Sequence, residues 1–187
     1  NLHEVKGPTL YQVCSLAWDP DRRRLFYTTD NNDWRDLVEL DPATRKATVL
    51  MRNARVGDLA FNRQDHSLWG VRNFNGISSL VRVTEPYRDY SRVVSFPYSH
   101  DIYDIDLSPD GTMLSASMTE VSGHQTLRLF SVPALMKGDT TSRKLYDFGS
   151  AIPQSFVFSP DGKSLIFQSE REPENPLWRE NIEEPLG

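Results

Sequence analysis

Phe156-Val157-Phe158-Ser159-Pro160-Asp161-Gly162-Lys163-Ser164-Leu165-Ile166-Phe167 is the stretch that decides the fold. Two short apolar runs flank a Ser-Pro-Asp-Gly turn. Pro160 presets φ at the second turn position, Asp161 bonds its own backbone, and Gly162 supplies positive φ. The stretch reads as a tight β-hairpin.

The unit recurs. The residues just before the turns are Trp18, Phe61, Leu107 and Phe158, spaced 43, 46 and 51 residues apart. The turns that follow are Asp19-Pro20-Asp21-Arg22, Asn62-Arg63-Gln64-Asp65, Ser108-Pro109-Asp110-Gly111 and Ser159-Pro160-Asp161-Gly162. The second is degenerate but keeps its place. Each interval holds about four short strands, which matches a blade of a β-propeller. The predicted fold is all-β: four-stranded antiparallel blades, about four of them, as part of a larger propeller. Blades are placed at about 13–51, 56–96, 102–148 and 154–182 of a single domain. Residues 1–12 form an opening segment and 183–187 a tail. Three complete blades do not close a ring. Closure is expected from further sequence, from a second copy, or from Leu2–Val5 as the missing outer strand of blade four. Because blades stack face to face, Phe156-Val157-Phe158 and Leu165-Ile166-Phe167 are expected to be buried on both sides.

Composition excludes several classes. With 21 Lys+Arg against 26 Asp+Glu, the net charge of −5 lacks the basic excess of a dedicated nucleic-acid binder. Arg22-Arg23-Arg24 lies in a hairpin turn and reads as a solvated charge run. No apolar stretch approaches the ~18 residues of a membrane span. Cys14 is the single cysteine, so neither an intramolecular disulfide nor a cysteine-based zinc site is available. It is expected to be a small buried core residue.

The aromatic-Ser-Pro-Asp-Gly-x-x-Leu-x-aromatic pattern at 156–167 resembles the repeat of TolB-like propellers, a branch of the WD-like repeats. Asp106-Leu107-Ser108-Pro109-Asp110-Gly111-Thr112-Met113-Leu114 resembles it too, and Ala17 to Tyr27 matches more loosely. Trp18-Asp19 sits at a turn rather than at the usual place of the Trp-Asp dipeptide. The resemblance spans roughly residues 13–169. It implies a protein-binding platform, an envelope protein, or the non-catalytic half of a prolyl-oligopeptidase-type peptidase. The implied compartment is the bacterial periplasm or cell envelope.

No Gly-x-Ser-x-Gly, His-Glu-x-x-His, Walker or Gly-x-Gly-x-x-Gly motif is present. His3, His66, His100 and His124 lie far apart without ligand-like spacing, and although a propeller can bring distant loops together, no metal and no cofactor are expected. Asp30-Asn31-Asn32-Asp33-Trp34-Arg35-Asp36 packs oxygen ligands closely, but fails the EF-hand spacing and reads as a polar hairpin loop. His100 beside Asp101 lacks a nucleophile. A lyase- or lactonase-type propeller with a channel metal is disfavoured, because no cluster of channel-facing Glu, Asp, Asn and His is evident.

Blade topology sorts the loops. Those between second and third strands and those between blades share one face, and the Pro-Asp-Gly turns share the other. The first face collects Trp34, Arg35, Arg52, Arg55, Phe74, Tyr98, His100 and His124, and aromatics with Arg are the usual anchors of a binding patch. The expected function is a non-enzymatic binding or scaffold module that presents this face to a protein or peptide. The alternative is the propeller domain of a prolyl-oligopeptidase-type hydrolase whose catalytic domain lies elsewhere.

Overall fold

The computed structural model describes residues 13–30, 34–151, 153–169 and 177–181. Four separate antiparallel sheets account for nearly all of them. Blade one is β1 (Val13–Asp19), β2 (Arg24–Asp30), β3 (Arg35–Asp41) and β4 (Lys46–Met51). Blade two is β5 (Val56–Asn62), β6 (Ser67–Phe74), β7 (Ile77–Val83) and β8 (Ser91–Ser95). Blade three is β9 (Asp101–Leu107), β10 (Met113–Thr119), β11 (Gln125–Ser131) and β12 (Ser142–Gly149), with a single helical turn, α1 (Val132–Leu135), before its last strand. Blade four is β13 (Pro153–Phe158), β14 (Ser164–Ser169) and β15 (Leu177–Asn181). Strands pair in chain order within every sheet, as a meander does.

The turn chemistry holds each inner hairpin. Gly111 and Gly162 have φ of +68° and +72°. The Ser108 hydroxyl donates to Asp110 Oδ1 at 2.6 Å and accepts the Met113 N–H at 2.9 Å. Ser159 accepts the Ser164 N–H in the same way at 3.0 Å. A Cβ at Gly111 would stand 2.4 Å from Asn62 Oδ1 of the neighbouring turn, so the glycine also permits the close approach of two blades.

The core lies between blades. β1 packs on β5, β5 on β9, and β9 on β13, so the first strand of each blade lines the central channel. Strand periodicity then feeds two interfaces at once. From β6, Leu68 joins Ala17, Phe26 and Leu37 against blade one, while Trp69 joins Ile102, Leu114 and Phe130 against blade three. Leu127, Leu129 and Phe148 meet Phe156, Phe158, Leu165 and Phe167 between blades three and four.

Three expectations need correction or fall outside this description. Val157 and Ile166 are 51% and 36% exposed, because among the described residues blade four stacks on blade three only. Cys14 is exposed rather than buried, because β1 shifts register between Val13 and Ser15 and leaves it on a bulge. The proposed closing strand Leu2–Val5 lies outside the described residues, as does Ile182. No helix among the described residues is long and apolar enough to cross a membrane.

Candidate functional site

The loop face is built where β2–β3 of blade one meets β5–β6 of blade two. Asp30, at the end of β2, pairs with Arg35 Nε at 3.4 Å at the start of β3. Gly57 lies beneath the Arg35 guanidinium: a Cβ there would be 2.3 Å from Nη1. Arg55 has φ of +56°, and its N–H bonds to the Arg35 carbonyl at 3.3 Å, which turns its side chain into the same cleft. Asp36 accepts the Asn53 N–H at 2.9 Å and ties the interblade loop down.

The result is a cation held between rings. The Arg55 guanidinium carbon lies 3.2 Å from the Trp34 ring centroid and 5.2 Å from that of Phe74. Arg72 also approaches the Phe74 ring, at 5.0 Å, and that of Tyr90 at 5.4 Å. Contacts of this kind are worth about 0.5–1 kcal/mol each at exposed sites. Trp34 and Phe74 remain 47% and 45% exposed, so both rings still present surface. A cleft of about 240 Å³ opens beside them, lined by Asp30, Arg35, Asp58, Val71 and Asn73.

The structure therefore brings Trp34, Arg35, Arg55 and Phe74 together. Tyr98 stands next to this group: it is exposed, and its ring covers Gly76, where a Cβ would be 2.8 Å from Cε2. His100 is half-buried in the loop between blades two and three, with its N–H on the Pro97 carbonyl at 3.1 Å. His124 is engaged within blade three, where Nδ1 lies 3.1 Å from Asp147 Oδ1. The His124 imidazole, with the Gly149 N–H as the larger influence, holds the Asp147 carboxyl down at about 2. Gly57 carries no sequence signal of its place beneath Arg35, because that role depends on a residue 22 positions earlier.

A second arrangement runs down the channel. The residue three before each pre-turn position is Ser15, Asp58, Asp104 and Ser155. Each side chain that bonds here takes an N–H from the following blade. Ser15 Oγ accepts from Leu59 N at 2.6 Å, the Asp58 carboxylate from Asp104 N, and the Asp104 carboxylate from Ser155 N. Asp58, Asp104 and Ser155 all have positive φ, at 47°, 47° and 56°, at bulges in β5, β9 and β13. Asp106 adds a further link, accepting Phe158 N–H at 2.8 Å. Burial pushes the Asp106 carboxyl up to about 6 and raises Asp104, and burial followed by the charge of Asp104 raises Asp58. Asp58, Asp104 and Asp106 thus lie on the first strands, which line the channel, and each accepts an N–H from the following blade. The position was legible as a short oxygen-bearing side chain repeated four times.

No known sequence family matches the chain, and no curated protein does. Solved structures do. TolB from Acinetobacter baumannii superposes with a TM-score of 0.68 at 18% identity, over 90% of this chain and 40% of that one. A chain of the nidogen/laminin complex gives 0.66 at 12%, over 84% and 56%. A prolyl endopeptidase gives 0.54 at 10%, over 93% and 29%. The shared feature is the propeller fold, TolB-like in its blades. The chain spans about half or less of the length of these relatives.

Proposed function

We propose that this propeller segment is a non-enzymatic binding module whose loop face takes a protein segment presenting a carboxylate beside an apolar side chain. The observation that carries this is the Arg55 guanidinium fixed 3.2 Å above Trp34 and bracketed by Phe74. Its position is set before any partner arrives, so the entropic cost of ordering a long side chain is not charged to binding. The guanidinium edges stay available as donors for a carboxylate, and the exposed ring surfaces supply apolar area. The propeller likeness to TolB and to a chain of the nidogen/laminin complex is in keeping with a binding role. The alternative, the propeller domain of a prolyl-oligopeptidase-type hydrolase, finds support only in the shared fold.

A displayed library of random peptides selected on the immobilised protein tests the proposal. Selected peptides are expected to converge on an acidic residue next to an aromatic or aliphatic one. Arg55→Ala and Trp34→Ala should each weaken a selected peptide at least tenfold, about 1.4 kcal/mol, while the protein stays folded and its melting temperature falls by only a few degrees. Trp18→Ala, at the turn end of the channel, should bind as the parent does. Equal binding to all three variants would show that the loop face is not the docking surface.

A further inference from the structure

The opposite face carries a second site. At the first position of the inner-hairpin turn, blades three and four have Ser108 and Ser159, whose hydroxyls are satisfied inside the turn. Blade one has Asp19 there. Asp19 Oδ1 performs the turn's work, accepting the N–H groups of Asp21 and Arg22 at 3.0 and 3.2 Å. That leaves one oxygen more than the turn requires. Asp19 is fully buried, and Oδ2 has no hydrogen-bond partner.

Oδ2 points across the blade boundary. His66, at the end of the corresponding turn of blade two, places Nδ1 3.9 Å from Asp19 Oδ2 and Nε2 3.9 Å from Asp21 Oδ2. Nδ1 is itself buried without a hydrogen-bond partner. A ligand atom from each of Asp19, Asp21 and His66 lies within 4.8 Å of the others. The His66 backbone is held for this at φ of +53°, with its carbonyl accepting the Tyr87 hydroxyl at 2.7 Å. The Phe61 ring packs edge-on to the imidazole at 6.0 Å. The nearest cations have their own partners: Arg22 pairs with Glu85 at 3.0 Å, and Arg24 with Glu39 at 3.2 Å and Asp41 at 2.5 Å.

A buried carboxylate oxygen with no donor is costly unless something positive meets it. We infer that Asp19, Asp21 and His66 form a binding site for a divalent transition-metal ion, Zn²⁺ in the first instance, that clamps the turn of blade one to that of blade two. One imidazole and two carboxylates are a donor set such ions accept, with bonds of about 2.0–2.2 Å. A tetrahedral ion with such bonds sets its ligands roughly 3.3 Å apart and takes only one imidazole nitrogen, so one 3.9 Å separation closes by about half an ångström, and the third ligand atom, within 4.8 Å of the others, moves in by up to about 1.5 Å. Asp21 and His66 are 52% and 35% exposed, which leaves a path for the ion from solvent. The fourth position is open to water.

The test is titration of chelator-stripped protein with ZnCl₂ by calorimetry, together with thermal melts. One Zn²⁺ per chain is expected, at a dissociation constant in the micromolar range or tighter, with a rise in melting temperature that grows with Zn²⁺ concentration. His66→Gln should weaken binding at least tenfold and abolish the thermal shift. Asp19→Ser installs the turn residue of blades three and four, so it should fold and melt as the metal-free parent does while losing the ion. Asp139→Asn, in an exposed turn, should bind Zn²⁺ unchanged. Absence of saturable binding by the parent overturns the inference, and so does equal affinity in His66→Gln.

Discussion

β10 and β14 occupy the same place in blades three and four, yet they meet different surroundings. In β10 every residue from Leu114 to Met118 is buried, because blade two covers one side and blade four the other. In β14 Leu165 and Phe167 are buried against blade three, and Ile166 between them is 36% exposed. β6 behaves like β10, with Ser67 to Val71 all buried. β6 and β14 carry adjacent apolar residues, Leu68-Trp69 and Leu165-Ile166-Phe167, whereas β10 alternates apolar residues with the small Ser115 and Ser117, which are buried all the same. What decides exposure is the number of neighbouring blades. An apolar residue in a central blade strand is therefore a statement about what stacks on it, and only half of that statement is met at the flank of blade four.

Truncation inside the doubly covered region should have the largest effect. Leu114→Ala leaves a cavity where the structure has no slack and is expected to lower stability by about 2–5 kcal/mol, measured by urea unfolding. A loss below 1 kcal/mol would mean that blades two and three are less tightly joined than their packing indicates. The boundary between blades three and four should respond next, and with pH. The folded-state pKa of Asp106 lies near 6, above its ordinary value, so the folded protein holds this proton more firmly than the unfolded chain. The associated stability is complete below about pH 4 and falls as pH rises through about 6. Asp106→Asn retains an acceptor for the Phe158 N–H and never ionises. It should gain on the order of 1–3 kcal/mol over the parent at pH 7, with no difference at pH 4. Because burial also raises Asp58 and Asp104, the variant should keep a weaker decline over the same window. A pH-independent difference would remove burial of this carboxylate as the cause. The smallest effect belongs to the open flank. Val157→Thr preserves β-branching at a position 51% exposed and should change stability by no more than about 0.5 kcal/mol.

The parts of the fold legible in the sequence were those fixed by local chemistry. Pro-Asp-Gly turns require positive φ wherever they occur, and Gly111 and Gly162 adopt it. Strands of period two between such turns can only make hairpins, so four antiparallel sheets followed. The sorting of loops into two faces also followed from strand order, which is why Trp34, Arg35, Arg55 and Phe74 could be grouped before their geometry was known. Features that depend on register or on a distant partner were not legible. Cys14 reads as core until the bulge beside Ser15 is seen. Asp19 and His66 are 47 residues apart and meet only because adjacent turns lie side by side. Asp19 did carry one signal: it is the one charged residue at a turn position where the other blades have Asn62, Ser108 and Ser159.

The oxygen-bearing side chains at Ser15, Asp58 and Asp104 each reach forward by a single blade. Joints of this kind make the described blades an array in which each is tied to the one that follows it. That array should exchange the amide hydrogens of blade four, joined among the described residues to blade three alone, before those of blades two and three. It also lengthens by simple rules: a duplicated unit brings its own turn, its own oxygen three residues ahead of the pre-turn position, and hence its own coupling to whatever precedes and follows it.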